Sequence, residues 1–180
     1  MVSETTFIAQ LKEKKTQEQA FGTLVSQYKE RLYWHIRRIV LNHDDTDDVL
    51  QNTFIKIYRS IDGFKGESAL YSWMYRIATN EALSFLKSKA RKYSITSEEL
   101  QHKMVEDLTA DVYFEGDEIQ LKLQKAIATL PEKQRLVFNM KYFENMKYED
   151  ISKIIDTSVG ALKASYHHAV KKIEQYVTTC

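Results

Sequence analysis

Apolar residues recur every three or four positions through most of the chain, the period of a helix with one buried face. Thr16 and Gln19 match a capping box, and the helix behind them buries Phe21, Leu24, Val25, Tyr28, Leu32, Ile36 and Ile39. "LNHDD" breaks it, and acids crowd the first turn of the next helix, where they favour the positive end of its dipole. That helix buries Leu50, Phe54, Ile57 and Ile61. "DGFKGES" is a turn with two glycines, after which Ser68 caps a long helix carrying Leu70, Trp73, Met74, Ile77, Ala78 and Phe85. The periodicity fades after "KSKARK" and returns with Ile119, Leu123, Ala126, Ile127 and Leu130. Pro131 opens a helix with Leu136, Val137, Met140 and Phe143 inward. A shorter one over about 148–155 turns Ile151, Ile154 and Ile155 inward. The last helix, entered at Ser158, buries Val159, Leu162, Tyr166, Ala169 and Ile173. The pattern predicts an all-α chain of two small helical domains, 1–92 and 119–180. An acidic flexible linker, 93–118, joins them, with room for a short helix.

Composition narrows this picture. One proline and five glycines leave few helix breakers, and 43% hydrophobic residues suffice for a core. No apolar run is long enough to cross a bilayer, and the N-terminus lacks a basic-then-apolar signal pattern. The single cysteine, Cys180, rules out an internal disulfide, so a cytoplasmic protein is expected. The net charge of +1 hides a strong asymmetry: residues 61–92 carry +3, 93–120 carry −7 and 121–180 carry +4. Two basic blocks flank an acidic one, which suits a nucleic-acid binder with a spacer.

The last two helices have the layout of a helix-turn-helix, in which the first braces the second against DNA. The second then presents its N-terminal polar side chains to base edges in the major groove. Its polar face holds Lys163, Ser165, His167, His168, Lys171 and Lys172, with no acid before Glu174. Lys163 can donate to guanine or phosphate, Ser165 and His167 can donate or accept, and Lys171 and Lys172 stand where phosphates pass.

"LPEKQRLVFNMKYFENMKYEDISKIIDTSVGALKASYHHAVKKI" resembles the C-terminal promoter-binding domain of extracytoplasmic-function (ECF) sigma factors of the sigma-70 family. "DDTDDVLQNTFIKIY" resembles that family's polymerase-binding helix, and "FKGESALYSWMYRIATNEAL" its minus-ten-reading segment. The resemblance implies a factor without catalytic residues. It would bind core RNA polymerase, direct it to promoters and help open the duplex. It places Asp47, Asp48, Gln51, Asn52 and Phe54 against the clamp helices of the polymerase largest subunit. It also places a flipped promoter base in the turn at 62–68, where Lys65, Glu67 and Ser68 supply polar groups. Phe64 and Tyr71 are the aromatics expected to be exposed beside that base, and Arg76 draws in the backbone; single-stranded bases stack on such rings. Trp73 shares a face with Leu70, Met74 and Ile77 and is read as core. Ser158, Lys163, Ser165, His167, His168 and Lys171 are the implied minus-thirty-five contacts. Promoter DNA, duplex and single-stranded, and an anti-sigma factor are the further partners the family implies.

The chain departs from the family pattern at several positions. Asn52 stands where glutamate is common, Lys147 where a capping serine or threonine is common, and Asp156 where the turn often has glycine. Ser165 and His168 replace common arginines. A tight turn at Asp156 requires positive φ, which Asp tolerates better than most residues.

Two rival readings make different demands. A helix-turn-helix regulator acting without core polymerase needs an N-terminal sensing or dimerising domain. An HD-type metal phosphohydrolase would start from His43-Asp44, yet no further ligand set is evident in the sequence. His167 and His168 are adjacent, about 100° apart on a helix, not the i, i+4 pair that holds zinc. No metal or cofactor is expected.

Overall fold

The computed structural model describes residues 3–108, without the Asp107 side chain, and 118–179; the rest of the expected linker, 109–117, lies outside them. Among the described residues there are nine α-helices and no strand. They are α1 (Glu4–Lys12), α2 (Gln17–Val40), α3 (His43–Ser60), α4 (Leu70–Lys92), α5 (Ser97–Asp107), α6 (Glu118–Ala128), α7 (Glu132–Tyr142), α8 (Tyr148–Ile155) and α9 (Val159–Thr179). A 3-10 turn, Ile61–Gly63, follows α3.

Three long helices, α2, α3 and α4, pack on one another around Leu24, Leu32, Ile36, Val49, Ile57, Met74 and Ala78. Leu41 ends α2 in the left-handed conformation, its N–H bonded to the Arg37 carbonyl, so the chain reverses at once. The Asn42 side chain then accepts from Asp45 N–H at 2.9 Å and caps α3, with Asp44 and Asp45 in the first turn. In the C-terminal half, Ala126, Ile127, Leu130, Phe138, Ala169 and Ile173 form a core between α6, α7 and α9.

The two halves are packed together. The N-terminal core continues without a break into Leu136, Val137, Met140, Met146, Ile151, Ile154 and Leu162, where α8 lies on α4 and α7 meets α2. At the other edge of this junction α5 inserts Leu100, Met104 and Leu108 against Leu41, Ala90 and Ala128. The first half of the linker is therefore a packed helix. A reciprocal cap starts it: the Thr96 hydroxyl accepts from Glu99 N–H and the Glu99 carboxylate from Thr96 N–H. The Thr96 backbone N–H first, then the Thr96 hydroxyl, hold the Glu99 carboxyl below its usual range.

Three sequence expectations change. Thr16 makes no capping box; its hydroxyl donates to the Gln10 carbonyl at 2.8 Å and ties the end of α1 to the start of α2. Ser68 does not cap α4. Ala69 holds that position, and Glu4 of α1 accepts from Leu70 N–H at 2.9 Å instead. Ile119 is 83% exposed, because burial rises along α6 and its first turn precedes the packed stretch from Ala126 onward.

Candidate nucleic-acid interface

The segment from Ile61 to Arg76 is shaped by side chains far away in sequence. Phe64 N–H bonds to the Ile61 carbonyl at 3.1 Å and closes the 3-10 turn. Gly66 follows at φ +73, where any side chain would be strained. Lys12 of α1 donates to the Phe64 carbonyl at 2.6 Å, while Glu4, on the same helix, holds the first N–H of α4. One short helix thus fixes both ends of the loop.

Phe64 is expected to be exposed but is only 4% exposed. Its ring lies against Trp73, with centroids 5.1 Å apart, because the turn folds it inward over α4. Trp73 is half-buried and reaches the surface that Phe64 leaves. Tyr71 is half-buried too; burial first, then the Asp150 carboxylate, pushes its hydroxyl above the usual pKa. Lys65, Glu67 and Arg76 are exposed and Ser68 partly so. Together with Gly63, Phe64, Ser72 and Trp73 they line a cavity of about 580 Å³, whose remaining wall is Ser152, Lys153 and Asp156. The cavity combines three cations, Lys65, Arg76 and Lys153, with the carboxylates Glu67 and Asp156, hydroxyls and aromatic carbon, and cations beside aromatic carbon suit a base with its phosphate.

The helix-turn-helix is built as the sequence predicts. Ile151 and Ile154 of α8 and Leu162, Ala169 and Ile173 of α9 are buried. Asp156 sits in the turn at φ 50 and ψ 57, so the residue replacing the common glycine adopts the left-handed conformation. Lys147 precedes α8 without a side-chain cap. The Ser158 hydroxyl accepts from Ala161 N–H at 3.4 Å and opens α9. Ser158, Lys163, His167, His168 and Lys171 are exposed, and Ser165 partly so. Lys163 leans over the Tyr148 ring at 5.9 Å, a position it can leave for a base edge.

Along α3, Asp47, Asp48, Gln51 and Asn52 are exposed. Phe54 is half-buried, edge-on to Phe21 with ring centroids 6.3 Å apart. His43 is engaged by the Tyr33 hydroxyl at 2.6 Å and by Asp47 at 3.7 Å.

Residues 24–92 match the family model for Sigma-70 region 2, and residues 120–173 that for Sigma-70, region 4. An ECF RNA polymerase sigma-E factor of Haemophilus influenzae is 34% identical over 168 residues, 89% of this chain and 88% of that protein. The chain belongs to the ECF sigma factors of the sigma-70 family. An RNA polymerase sigma-H factor of Pseudomonas aeruginosa is 31% identical over 88% of this chain and 86% of its own length. Two solved structures share the sigma-factor fold. CnrH, in complex with the cytosolic domain of CnrY, has a TM-score of 0.71 at 18% identity over 97% of both chains. The sigma factor RpoE of Bartonella quintana, in complex with the anti-sigma factor NepR, has a TM-score of 0.69 at 20% identity over 88% of this chain and 97% of that one.

A sigma factor works with core RNA polymerase at promoter DNA and is not an enzyme, which decides against both rival readings. Among the described residues no helix is long and apolar enough to cross a membrane. Two features of this sigma factor escaped the sequence reading. Phe7, Ile8 and Leu11 have the helical spacing that reveals α1, but nothing local shows that Lys12 and Glu4 reach a loop more than fifty residues away. Ile55 and Tyr58, 42% and 43% exposed, add an apolar strip beside the acids of α3.

Proposed function

We propose that the sigma factor divides its work by residue as follows. Residues 1–92 hold polymerase and read the minus-ten element, 93–118 form the linker, and 119–180 read the minus-thirty-five element. Asp47, Asp48, Gln51, Asn52 and Phe54 meet the clamp helices of the largest polymerase subunit, with Ile55 and Tyr58 widening that contact. Lys65, Glu67, Ser68, Tyr71 and Arg76 receive an unpaired base and its phosphate. Phe64 supports them from beneath through Trp73. Ser158, Lys163, Ser165, His167, His168 and Lys171 face the upstream duplex, Lys163 at a base edge and Lys171 at phosphate.

The observation that carries this reading is the cavity beside 62–68, which sets cations, carboxylates and hydroxyls beside Phe64 and Trp73. Flipping a base costs a few kcal/mol and needs a shaped pocket to receive it. Polymerase fixes the spacing between two weak sites, so binding at one raises the effective concentration at the other. The protein acts in the cytoplasm, where its polymerase is. The two structural neighbours with like folds are bound to partners, one of them a named anti-sigma factor, which supports an anti-sigma partner here.

The test is to add the purified chain to core polymerase and measure RNA from a promoter it directs. Asp47→Ala with Asp48→Ala should weaken assembly with core. Lys65→Ala with Ser68→Ala should leave assembly intact and lower RNA yield. Loss of assembly in the second variant, or none in the first, contradicts the division of roles.

A further inference from the structure

A second cavity, of about 560 Å³, lies between α1 and α2 and is lined by no residue placed so far against DNA or polymerase. It has the size of a small-molecule site, about 300–1,000 Å³. Its polar lining includes three carboxamides, Gln10 of α1 and Gln19 and Gln27 of α2. Among the described residues none of these three amides finds a hydrogen-bond partner within the protein. The hydroxyls beside them are already used: Thr16 donates to the Gln10 carbonyl at 2.8 Å and Thr23 to the Gln19 carbonyl at 3.2 Å. Phe7, Ala20, Leu70 and the Tyr28 ring supply the apolar part. Burial, the largest cause, raises the Tyr28 pKa, so its hydroxyl keeps its proton.

Charge separates this cavity from the one beside 62–68. Among the described residues that line it there is one carboxylate, Glu4, and no cation. A phosphate finds no partner there, whereas a neutral ring with hydrogen-bonding edges finds several. A carboxamide presents an N–H donor and a carbonyl acceptor side by side. That pair matches the adjacent amino donor and N7 acceptor of adenine, the match by which Gln reads adenine in duplex DNA. Phe7 and Tyr28 offer rings for the base to lie against. Hypoxanthine carries an oxygen where adenine has its amino group, so the same contact would set two acceptors face to face. The walls belong to two helices: Phe7 and Gln10 to α1, Gln19, Gln27 and Tyr28 to α2. Helix α1 is also what steadies the loop, since Glu4 accepts from Leu70 N–H at 2.9 Å and Lys12 donates to the Phe64 carbonyl at 2.6 Å. Glu4 and Leu70 both line the cavity.

We propose that the cavity between α1 and α2 binds an adenine base through Gln10, Gln19 and Gln27, and that its occupation secures α1 on α2 and with it the loop at 62–68. A free nucleoside and the unpaired promoter strand both carry this base, and the chemistry of the seat is the same for either. A ligand that touches both helices favours their docked arrangement by its differential affinity for it. Adenine binding stands independently of the strand-reading site; its consequence for strand capture rests on residues 62–76 being that site.

The full chain is titrated with adenosine to about 5 mM while the side-chain amide NMR signals of its glutamines are followed. The Gln10, Gln19 and Gln27 signals should shift and saturate, and inosine should bind about tenfold more weakly. Gln19→Ala with Gln27→Ala alters two exposed positions, so thermal unfolding should be unchanged while adenosine binding falls about tenfold or more. Adenosine at saturation should slow hydrogen exchange of the Leu70 N–H about threefold, and unchanged exchange overturns the coupling to the loop. Single strands of about 12 thymines, with and without one central adenine, identify the source of the base. If the strand supplies it, the adenine tightens binding to the parent and not to the double variant. If a free nucleoside supplies it, adenosine binds and the two strands bind alike. No saturable shift with adenosine together with no strand preference overturns the proposal, and so does inosine binding as tightly as adenosine. Lys65→Ala with Arg76→Ala judges the reading beneath the coupling: unchanged strand binding there means that the strand-reading site, rather than the adenine seat, has failed.

Discussion

The segment 61–76 and helix α9 are both polar surfaces for DNA, and they are supported in opposite ways. Helix α9 carries its own support: Leu162, Ala169 and Ile173 are buried on one face while Lys163, His167 and Lys171 stand on the other. The loop at 62–68 has no such internal scaffold. Phe64 is buried against Trp73, Lys12 holds the Phe64 carbonyl, Glu4 holds the first N–H of α4, and α8 closes one side of the cavity. A reading surface on a helix tolerates surface substitution because backbone and core fix its geometry. A reading surface on a loop depends on distant residues, so substitutions outside the site should damage it.

The contrast can be broken at several points. The largest effect should come from Phe64→Ala, which removes a buried ring and should cost about 3–5 kcal/mol of stability in urea unfolding. An equally stable variant would show that the loop stands without its buried ring. Lys12→Ala should come next. Loss of a charged hydrogen bond to the Phe64 carbonyl costs about 1.5–3 kcal/mol, and single-strand binding should fall while duplex binding by α9 persists. Parallel loss of both would show that α1 supports the whole chain rather than the loop. Lys163→Ala should leave stability within about 0.5 kcal/mol, since the residue is exposed. It should lose about 1–3 kcal/mol of preference at one promoter position across a panel of duplexes. Uniform weakening across the panel would make Lys163 a phosphate contact. Asp156→Gly should have the smallest effect, stabilising the turn by up to about 1 kcal/mol, because the left-handed conformation already present suits glycine better. Destabilisation on thermal unfolding would mean that the Asp156 side chain holds the turn by some other interaction.

These two regions were also unequally legible in the sequence. The signals that start α9 and set its buried face lie within a few residues of it: the period of three and four, the serine at its start, and the Asp156 turn, whose positive φ was expected from its position. The loop was legible in composition and not in shape. Its aromatics, lysine and glycines announced a turn beside a basic helix, but which ring turns inward depends on α1 and α4 meeting above it. Phe64 therefore went in where exposure was expected, and the start of α4 was held by Glu4 rather than by Ser68. The linker shows the same limit. Leu100, Met104 and Leu108 are spaced for one helix face, yet the surrounding acids outweighed them, and only their packing on Leu41, Ala90 and Ala128 gives that face a purpose. The Glu144–His35 contact joins residues more than a hundred positions apart, and no local pattern signals it.

The division of labour between loop and helix is tested most directly by transcription with core polymerase on two templates, a fully paired promoter and the same promoter mismatched across the minus-ten element. Lys65→Ala with Ser68→Ala alters an exposed and a partly exposed group and spares the buried Phe64 ring, so folding should be unaffected. The account predicts that this variant loses activity on the paired template and regains most of it on the mismatched one, because unpairing has been done in advance. Lys163→Ala should lose activity on both to the same extent. Equal loss on both templates by the loop variant, with a normal unfolding curve, would contradict the assignment of strand capture to residues 62–76.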